Sequence, residues 1–214
     1  MNDSRGFFIV FEGLDGAGTS TQVRLLADRL RAERPELRVA VTAEPSGGPA
    51  GAMIRQVLKG RTTAVTALGQ PADFDRKALA LLFAADRLDH VACEIEPLVD
   101  AGWIVVCDRY VWSSLAYQSL DAPMEWIKRI NLFAPPPDLL VFLDISAEIG
   151  LARVDASRPG REIFEQENTL GRVADAYHLA LKDLPARRAC VLAGNRPVET
   201  VAEDVWTAVR SLID

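Results

Sequence analysis

The chain has 214 residues, 49% of them hydrophobic, which is enough apolar material for one domain with a single core. Its net charge of −6, from 24 basic and 30 acidic residues, gives no support to a role in coating nucleic acid or a membrane surface, because both need a basic face. The three cysteines, Cys93, Cys107 and Cys190, are far apart and form no C-x-x-C pair, so neither a disulfide framework nor a zinc site is favoured.

Five short apolar runs predict the strands of a sheet. They are mostly β-branched or aliphatic and do not alternate with polar residues, a pattern typical of parallel strands buried on both faces. The first of them, FFIVF, is too short to span a membrane and is followed by no export-type cleavage region. We therefore expect the protein to be located in the reducing cytoplasm. The five predicted strands are residues 7–11, 39–42, 104–107, 139–143 and 189–192.

Helical periodicity fills the segments between the strands and the end of the chain. Apolar residues recur at helical spacing over residues 21–33, 76–101, 168–184 and 198–212. Pro/Gly-rich segments at 44–51, 134–137 and 157–161 predict loops. Alternating strands and helices predict one α/β domain over residues 1–214, a three-layer sandwich with a five-stranded parallel sheet flanked by helices. Ligands of such sheets bind at the carboxyl ends of the strands.

A glycine-rich loop follows the first predicted strand. Residues 13–20, GLDGAGTS, fill every fixed position of the phosphate-loop pattern G-x-x-x-x-G-K-[ST] except the lysine, which is Thr19. The glycines allow backbone N–H groups to converge on a phosphate, and the helix N-terminus adds a positive potential. The Ser20 hydroxyl suits Mg²⁺. The loop therefore predicts a nucleotide site, and the alternative is a strand-to-helix turn without a ligand.

Two further segments pair a cation with a second functional group. Asp108 and Arg109 directly follow the third predicted strand, where the guanidinium suits a phosphate and the carboxylate suits Mg²⁺; the alternative is a surface ion pair. Phe83 and Arg87 lie one helical turn apart, so a ring could stack on a base while the arginine reads its edge. The alternative for this pair is a core aromatic beside a solvated arginine.

Arginines also cluster after the fourth predicted strand. Arg153, Arg158 and Arg161 surround Pro159-Gly160, which predicts a flexible basic lid over phosphates at residues 153–163, or else a solvated loop. No Ser/His/Asp constellation is apparent, and phosphoryl transfer requires only positioning and charge neutralisation. His90 and His178 fall in helical patterns and are interpreted as structural residues.

Four blocks in this order make the chain resemble the bacterial-type thymidylate kinases of the P-loop nucleoside monophosphate kinase superfamily: FEGLDGAGTSTQ, LLFAADRLDH, DRYVWSSLAYQ and PPPDLLVFLD. The resemblance extends from about Phe7 to the C-terminus. It implies a P-loop kinase fold and Mg²⁺-dependent transfer of the γ-phosphoryl group of ATP to dTMP, giving dTDP for dTTP biosynthesis. It also implies a homodimer packed through helices, for which the predicted helix 76–101 is a candidate.

The resemblance assigns roles to individual residues. Phe83 corresponds to the residue that stacks on thymine, Arg87 and Ser114 to residues that contact the base, and Tyr117 to a tyrosine that disfavours a ribose 2′-hydroxyl. The implied catalytic residues are Asp15, Arg109, Arg153 and Arg161. The implied ATP-binding residues are Gly13, Gly16, Ala17, Gly18, Thr19, Ser20, Thr21 and Arg158. The implied dTMP-binding residues are Glu44, Pro45, Arg55, Phe83, Arg87, Ser114 and Tyr117, and the implied Mg²⁺ ligands are Ser20, Asp15 and Asp108.

The chain departs from the family pattern at four positions. Ala43, Ser46 and Ala52 replace an arginine, a glycine and a glutamate common around the E-P-G-G loop. Thr19 stands where the family has the phosphate-loop lysine, so the loop lacks that cation. A hydrogen bond to a charged group contributes about 1.5–3 kcal/mol, so its loss would lower the rate by about one to two orders of magnitude if no other residue compensates. Our hypothesis is that Arg153 or Arg161 supplies the missing charge. The alternatives are a kinase for another nucleotide or nucleoside, and a nucleotide-binding protein with weakened or lost catalysis.

Overall fold

The computed structural model describes residues 5–155, 163–182 and 189–214. In chain order its elements are β1 (Phe7–Gly13), α1 (Thr19–Glu33), β2 (Arg38–Ala43), α2 (Pro49–Leu58), β3 (Ala64–Val65), β4 (Pro71–Ala72), α3 (Arg76–His90), α4 (Glu96–Asp100), β5 (Trp103–Asp108), α5 (Val111–Tyr117), α6 (Met124–Ile130), β6 (Leu139–Asp144), α7 (Ala147–Asp155), α8 (Ile163–Leu181), β7 (Ala189–Ala193) and α9 (Val198–Ile213).

The central sheet is parallel and has the strand order β2-β5-β1-β6-β7. All five predicted strands are confirmed, and each is longer than predicted by one or two residues. β1 lies in the middle, and its residues Ile9, Val10 and Phe11 are fully buried. This burial on both faces is why the strand sequence is continuously apolar.

Helices flank the sheet, as predicted. The chain leaves β1 towards β2 through α1 and afterwards moves in the opposite direction through β5, β6 and β7. Right-handed crossovers that run in opposite directions put their helices on opposite faces of a sheet. In agreement with this rule, α5 and α8, which both belong to crossovers in the second direction, pack against each other, and α9, which follows the last strand, packs against α1.

The predicted helix 76–101 is confirmed over residues 76–100, but it contains a π-helical turn that was not predicted. α3 ends at His90, a π-helical turn covers Val91–Ile95, and α4 follows. Within the turn the Glu96 N–H donates to the carbonyl of Val91, five residues back. Pro97 has no N–H to continue the α-helical ladder, and its ring crowds the preceding turn, which favours the wider spacing.

Several short elements were not predicted. The β3–β4 hairpin has only two residues in each strand, too few to show a periodicity.

The predicted loop 44–51 is shorter than expected, because α2 begins at Pro49, a residue favoured in the first turn of a helix. α8 begins at Ile163, before the predicted start at 168, and the predicted end at Leu184 lies outside the described residues.

The cysteines differ in burial, and the helices were compared with the length and hydropathy that a membrane span requires. Cys107 is buried and Cys190 is half-buried, whereas Cys93 is exposed. Within the described part of the chain, no helix is both long enough and apolar enough to cross a bilayer.

Candidate active site

The glycine-rich loop joins β1 to α1 at the carboxyl edge of the sheet. Gly16 and Gly18 have φ values of 83° and 93°, in the left-handed region that glycine adopts without strain. Gly13 is the last residue of β1, where an added Cβ would lie 2.9 Å from the carbonyl oxygen of Leu143. The predicted residues Gly16, Ala17, Gly18, Thr19, Ser20 and Thr21 all line one cavity of about 610 Å³.

In the described part of the chain, three arginines from outside the loop line this cavity: Arg109, Arg153 and Arg196. Arg153 was predicted from its place in the lid, and its Nη1 donates to the carbonyls of Gly16 and Gly194, both at 3.1 Å. The other predicted lid residues, Arg158 and Arg161, lie outside the described residues. Arg196 was missed, although its position just after β7 is the same kind of strand-end signal that identified Arg109.

Ser20 and Asp108, two of the predicted metal ligands, are in direct contact. The Ser20 hydroxyl donates to Oδ2 of Asp108, while Oδ1 of Asp108 is buried and has no hydrogen-bond partner among the described residues. A hydroxyl beside a carboxylate with an unused oxygen is the hard oxygen donor set that Mg²⁺ prefers. The residues present therefore fit a magnesium ion at this point.

Asp15 of the glycine-rich loop forms an ion pair with Arg109, with Nη2 of Arg109 at 2.7 Å from Oδ1 of Asp15. Arg109 has a φ of 72°, and its backbone N–H donates to the carbonyl of Phe11 at 2.8 Å. Burial lowers the pKa of Arg109, but Tyr177, Tyr117 and Asp15 oppose this effect, and the net pKa is above its ordinary value. Arg109 is therefore a permanent cation at the carboxyl end of β5.

Tyr117 lies beside this ion pair. Its hydroxyl accepts a hydrogen bond from the backbone N–H of Asp15 at 3.2 Å, and the Arg109 guanidinium lies 5.4 Å from its ring centre. Burial raises the pKa of Tyr117 to about 12, an effect that Arg109 opposes and Asp15 reinforces. Tyr117 is thus neutral at physiological pH and tied to the phosphate loop.

A second cavity of about 640 Å³ opens on the other side of Arg109. The predicted acceptor residues that line it are Glu44, Pro45, Phe83, Arg87, Ser114 and Tyr117. Arg55 does not line it, and its Nη1 donates instead to the carbonyls of Pro45 and Ser46. Arg76 and Arg172 also line this cavity and were not identified from the sequence, because an isolated exposed arginine on a helix carries no distinguishing pattern.

Arg87 is far more buried than a solvated arginine, so that alternative reading of the Phe83–Arg87 pair is wrong. Its side chain is 1% exposed, and its Nη2 and Nε lie 2.7 and 2.9 Å from Oε2 of Glu44. Nη2 also donates to the Tyr110 carbonyl and the Ser114 hydroxyl, each at 3.0 Å, and Nη1 donates to Asn131. Phe83 is half-buried at the same cavity.

The two histidines have hydrogen-bonding partners. His90 is buried, with Nε2 at 2.7 Å from the Thr42 hydroxyl and Nδ1 at 3.4 Å from Oε1 of Glu44. His90 therefore supports Glu44, which holds Arg87. His178 is exposed, with its Nε2 at 3.1 Å from Oδ1 of Asp144.

Ser46, where the family pattern has glycine, has a defined structural role. Its backbone N–H and its hydroxyl donate to the two carboxylate oxygens of Asp86, at 2.7 and 2.6 Å, and its oxygen accepts from the Gly48 N–H at 3.0 Å. The substitution therefore ties the loop after β2 to α3. This loop borders the second cavity through Glu44 and Pro45.

Glu12 was not identified from the sequence. It lies in the apolar run of β1 and is fully buried, and its carboxylate accepts hydrogen bonds from groups on α8 and at the start of α5. A single acidic residue inside an otherwise apolar strand is the signal that could have revealed it, because a buried carboxylate requires dedicated partners.

A phosphate-binding loop, strand-end cations and two cavities at the carboxyl edge of a parallel sheet define a P-loop protein with a site for two ligands. A family model described as thymidylate kinase matches residues 11–205, and the chain belongs to this family. The chain is 37% identical to a probable thymidylate kinase of Methanococcus aeolicus over 97% of this chain and 96% of that protein. It is 43% identical to a thymidylate kinase of Rhodopseudomonas palustris, with 96% and 89% covered, and 40% identical to one of Bradyrhizobium diazoefficiens, with 98% and 91% covered.

Proposed function

We propose that this protein is an ATP:dTMP phosphotransferase that converts dTMP to dTDP. The observation that carries the proposal is that Asp15 and Arg109 line both cavities. ATP in the loop cavity and dTMP in the second cavity would bring their phosphates together at Arg109. Phosphoryl transfer needs this kind of approach, with a fixed cation at the migrating group and little further covalent chemistry from the protein.

The acceptor cavity offers the contacts that a pyrimidine deoxynucleotide requires. Phe83 provides a ring for stacking, and Arg87 with Ser114 provides a polar end held in place by Glu44 and Asn131. Tyr117 is anchored by the backbone N–H of Asp15, and we propose that it excludes a ribose 2′-hydroxyl, the role that the family resemblance implies. Arg55, which the resemblance assigns to dTMP binding, donates to the carbonyls of Pro45 and Ser46, and we propose that it also holds the acceptor loop in shape.

Magnesium belongs to the donor site. Ser20 and Asp108 would hold the ion, with Asp15 nearby in the loop, and the bound ion would neutralise phosphate charge on ATP. In the protein itself, the glycine loop presents N–H groups to the phosphates and Arg109 stabilises the transferring group.

We propose that Arg153 supplies the cation that Thr19 does not. Thr19 is 6% exposed and cannot carry charge, whereas the Arg153 guanidinium reaches the loop and contacts Gly16. Its partners among the described residues are neutral carbonyls, from which it can turn to a phosphate without breaking an ion pair to any of those residues. Arg158 and Arg161 remain candidates from their sequence position alone.

The activity is tested by separating the products of a reaction with ATP, Mg²⁺ and dTMP. We expect dTDP and ADP in equal amounts. Parallel reactions with dUMP, dCMP, dGMP and thymidine distinguish a kinase for another acceptor. Nucleotide binding without any turnover would identify a protein that has lost catalysis.

We also propose a cytoplasmic homodimer that packs through α3. Two leucines of this helix, Leu81 and Leu88, are 49% and 40% exposed. Light scattering after size-exclusion chromatography tests the dimer, and Leu81→Glu together with Leu88→Glu should shift the mass to that of the monomer. A parent protein that is monomeric at micromolar concentration would contradict it.

A further inference from the structure

Glu12 forms a buried hydrogen-bond centre behind the site. Its Oε1 accepts from the backbone N–H groups of Tyr110 and Ser113, at 2.7 and 3.0 Å. Its Oε2 accepts from the hydroxyls of Ser113 and Tyr177, at 2.6 and 3.0 Å. The carboxylate is fully buried, so these four donors replace its hydration.

The same two hydroxyls contact Arg109. Nη1 of Arg109 lies 3.1 Å from the Ser113 oxygen and 3.3 Å from the Tyr177 oxygen. A hydroxyl has one proton and two lone pairs, and an ionised carboxylate can only accept. While it is ionised, Glu12 therefore draws both hydroxyl protons towards itself, which leaves oxygen lone pairs facing the guanidinium.

Glu12 also restrains the backbone conformation at Arg109. Arg109 has a φ of 72°, an uncommon value for a residue with a side chain, and such conformations persist only where the surroundings hold them. The N–H groups of Tyr110, the next residue, and of Ser113 are both bound to Oε1 of Glu12. One carboxylate thus restrains both the backbone and the side chain of this arginine.

We propose that Glu12 is the positioning residue for Arg109 and acts on it through the hydroxyls of Ser113 and Tyr177. With Nη1 held by these hydroxyls and Nη2 paired with Asp15, the guanidinium plane is fixed at the boundary of the two cavities. This inference rests on the proposed phosphoryl transfer, in which Arg109 acts on the migrating group. It extends that proposal to Glu12 and Tyr177, which line neither cavity, and to Ser113, which borders the acceptor cavity.

The test uses Tyr177→Phe, which removes one hydroxyl and keeps the ring, together with Ser113→Ala and Glu12→Gln. We expect each to lower kcat about tenfold, the effect of losing one charge-assisted hydrogen bond, while KM for dTMP and for ATP changes less than about threefold. Thr207→Ala is the matched control, since it deletes an exposed hydroxyl of α9 that bonds to the Glu203 carbonyl. Equal kcat in the parent and in Tyr177→Phe would overturn the proposal.

A second measurement is independent of activity. In protein labelled with ¹⁵N-arginine, we expect slowly exchanging guanidinium N–H signals for Arg109, identified by their absence in Arg109→Lys. They should broaden or vanish in Tyr177→Phe and Ser113→Ala and persist in Thr207→Ala. Signals unchanged in both hydroxyl variants would overturn the positioning role, whereas their loss in a protein that does not phosphorylate dTMP would leave positioning supported and the proposed function wrong. If Glu12→Gln does not fold, the two hydroxyl variants decide.

Discussion

The Ser20 hydroxyl donates a hydrogen bond to the Asp108 carboxylate, and this contact joins the first turn of α1 to the carboxyl end of β5. It places a loop hydroxyl and a strand-end carboxylate at one point, with the second oxygen of Asp108 buried and unpartnered among the described residues. The two groups come from β–α connections far apart in sequence. Only the parallel pairing of β1 with β5 brings them together.

Asp108→Asn should weaken the response to magnesium. The amide keeps the size of the side chain but removes its charge, so we expect the Mg²⁺ concentration at half-maximal velocity to rise at least about tenfold. Initial rates over a Mg²⁺ titration measure this effect. Asp28→Asn, which neutralises an exposed carboxylate of α1, is the control. Identical Mg²⁺ dependence in Asp108→Asn and the parent would remove Asp108 from the proposed metal site.

Arg153→Ala should lower kcat by about ten- to a hundredfold, because one charge-assisted interaction with the phosphates is lost. The decisive variant is Thr19→Lys, which restores the family lysine and which we expect to fold. In that background, Arg153→Ala should cost less than about threefold, because the lysine supplies the charge. Equal losses in both backgrounds would show that Arg153 does not substitute for the lysine. Arg24→Ala, an exposed change on α1, serves as the control.

Arg87→Met should destabilise the fold strongly. It leaves the buried Glu44 carboxylate without its main partner, and breaking a buried ion pair costs about 3–5 kcal/mol in the free energy of unfolding. Arg24→Met removes the exposed Arg24–Asp28 pair and should cost about 0–1 kcal/mol. Urea unfolding followed by circular dichroism compares the two. A similar small loss in both variants would show that the Arg87 network is not a stabilising centre.

The stability of the parent should depend on pH through Glu12. Burial raises the pKa of Glu12, and the hydrogen bonds from Ser113 and the charge of Arg109 lower it only in part. The folded state therefore binds the Glu12 proton more tightly than the unfolded state, whose pKa is about 4.3. As pH rises from there through the raised folded pKa, the parent should lose stability relative to Glu12→Gln. Urea unfolding at a series of pH values measures that difference, and a difference that stays constant with pH would contradict it.

The sequence predicted the class of fold well because its strands are buried on both faces. Continuous apolar runs such as β1 and β6 are visible without any partner, so their positions were found to within one or two residues. The strand order and the pairing of β1 with both β5 and β6 follow from the whole chain and could not be read from any one run. The π-helical turn depends on how Pro97 is accommodated, which periodicity does not report.

The site residues that lie in sequence motifs could be predicted. The residues that hold other site residues in place through hydrogen bonds could not. The glycine loop, Asp108 and Arg109 were found because each directly follows a strand. The engagement of Arg87 by Glu44 and Asn131, which brings together residues from separate elements, could not be anticipated from spacing. Glu12 was missed for the same reason, since its partners on α5 and α8 lie far from it along the chain.

The most direct test is the ratio of kcat/KM for dTMP to that for each other nucleoside monophosphate, measured by ADP release with one preparation of the parent protein. The Phe83, Arg87, Ser114 and Tyr117 cavity predicts dTMP as the preferred acceptor, by at least about tenfold over dUMP and dCMP and by more over ribonucleotides. A higher kcat/KM for any other acceptor, or ATP binding with no turnover of dTMP, would contradict the proposed function.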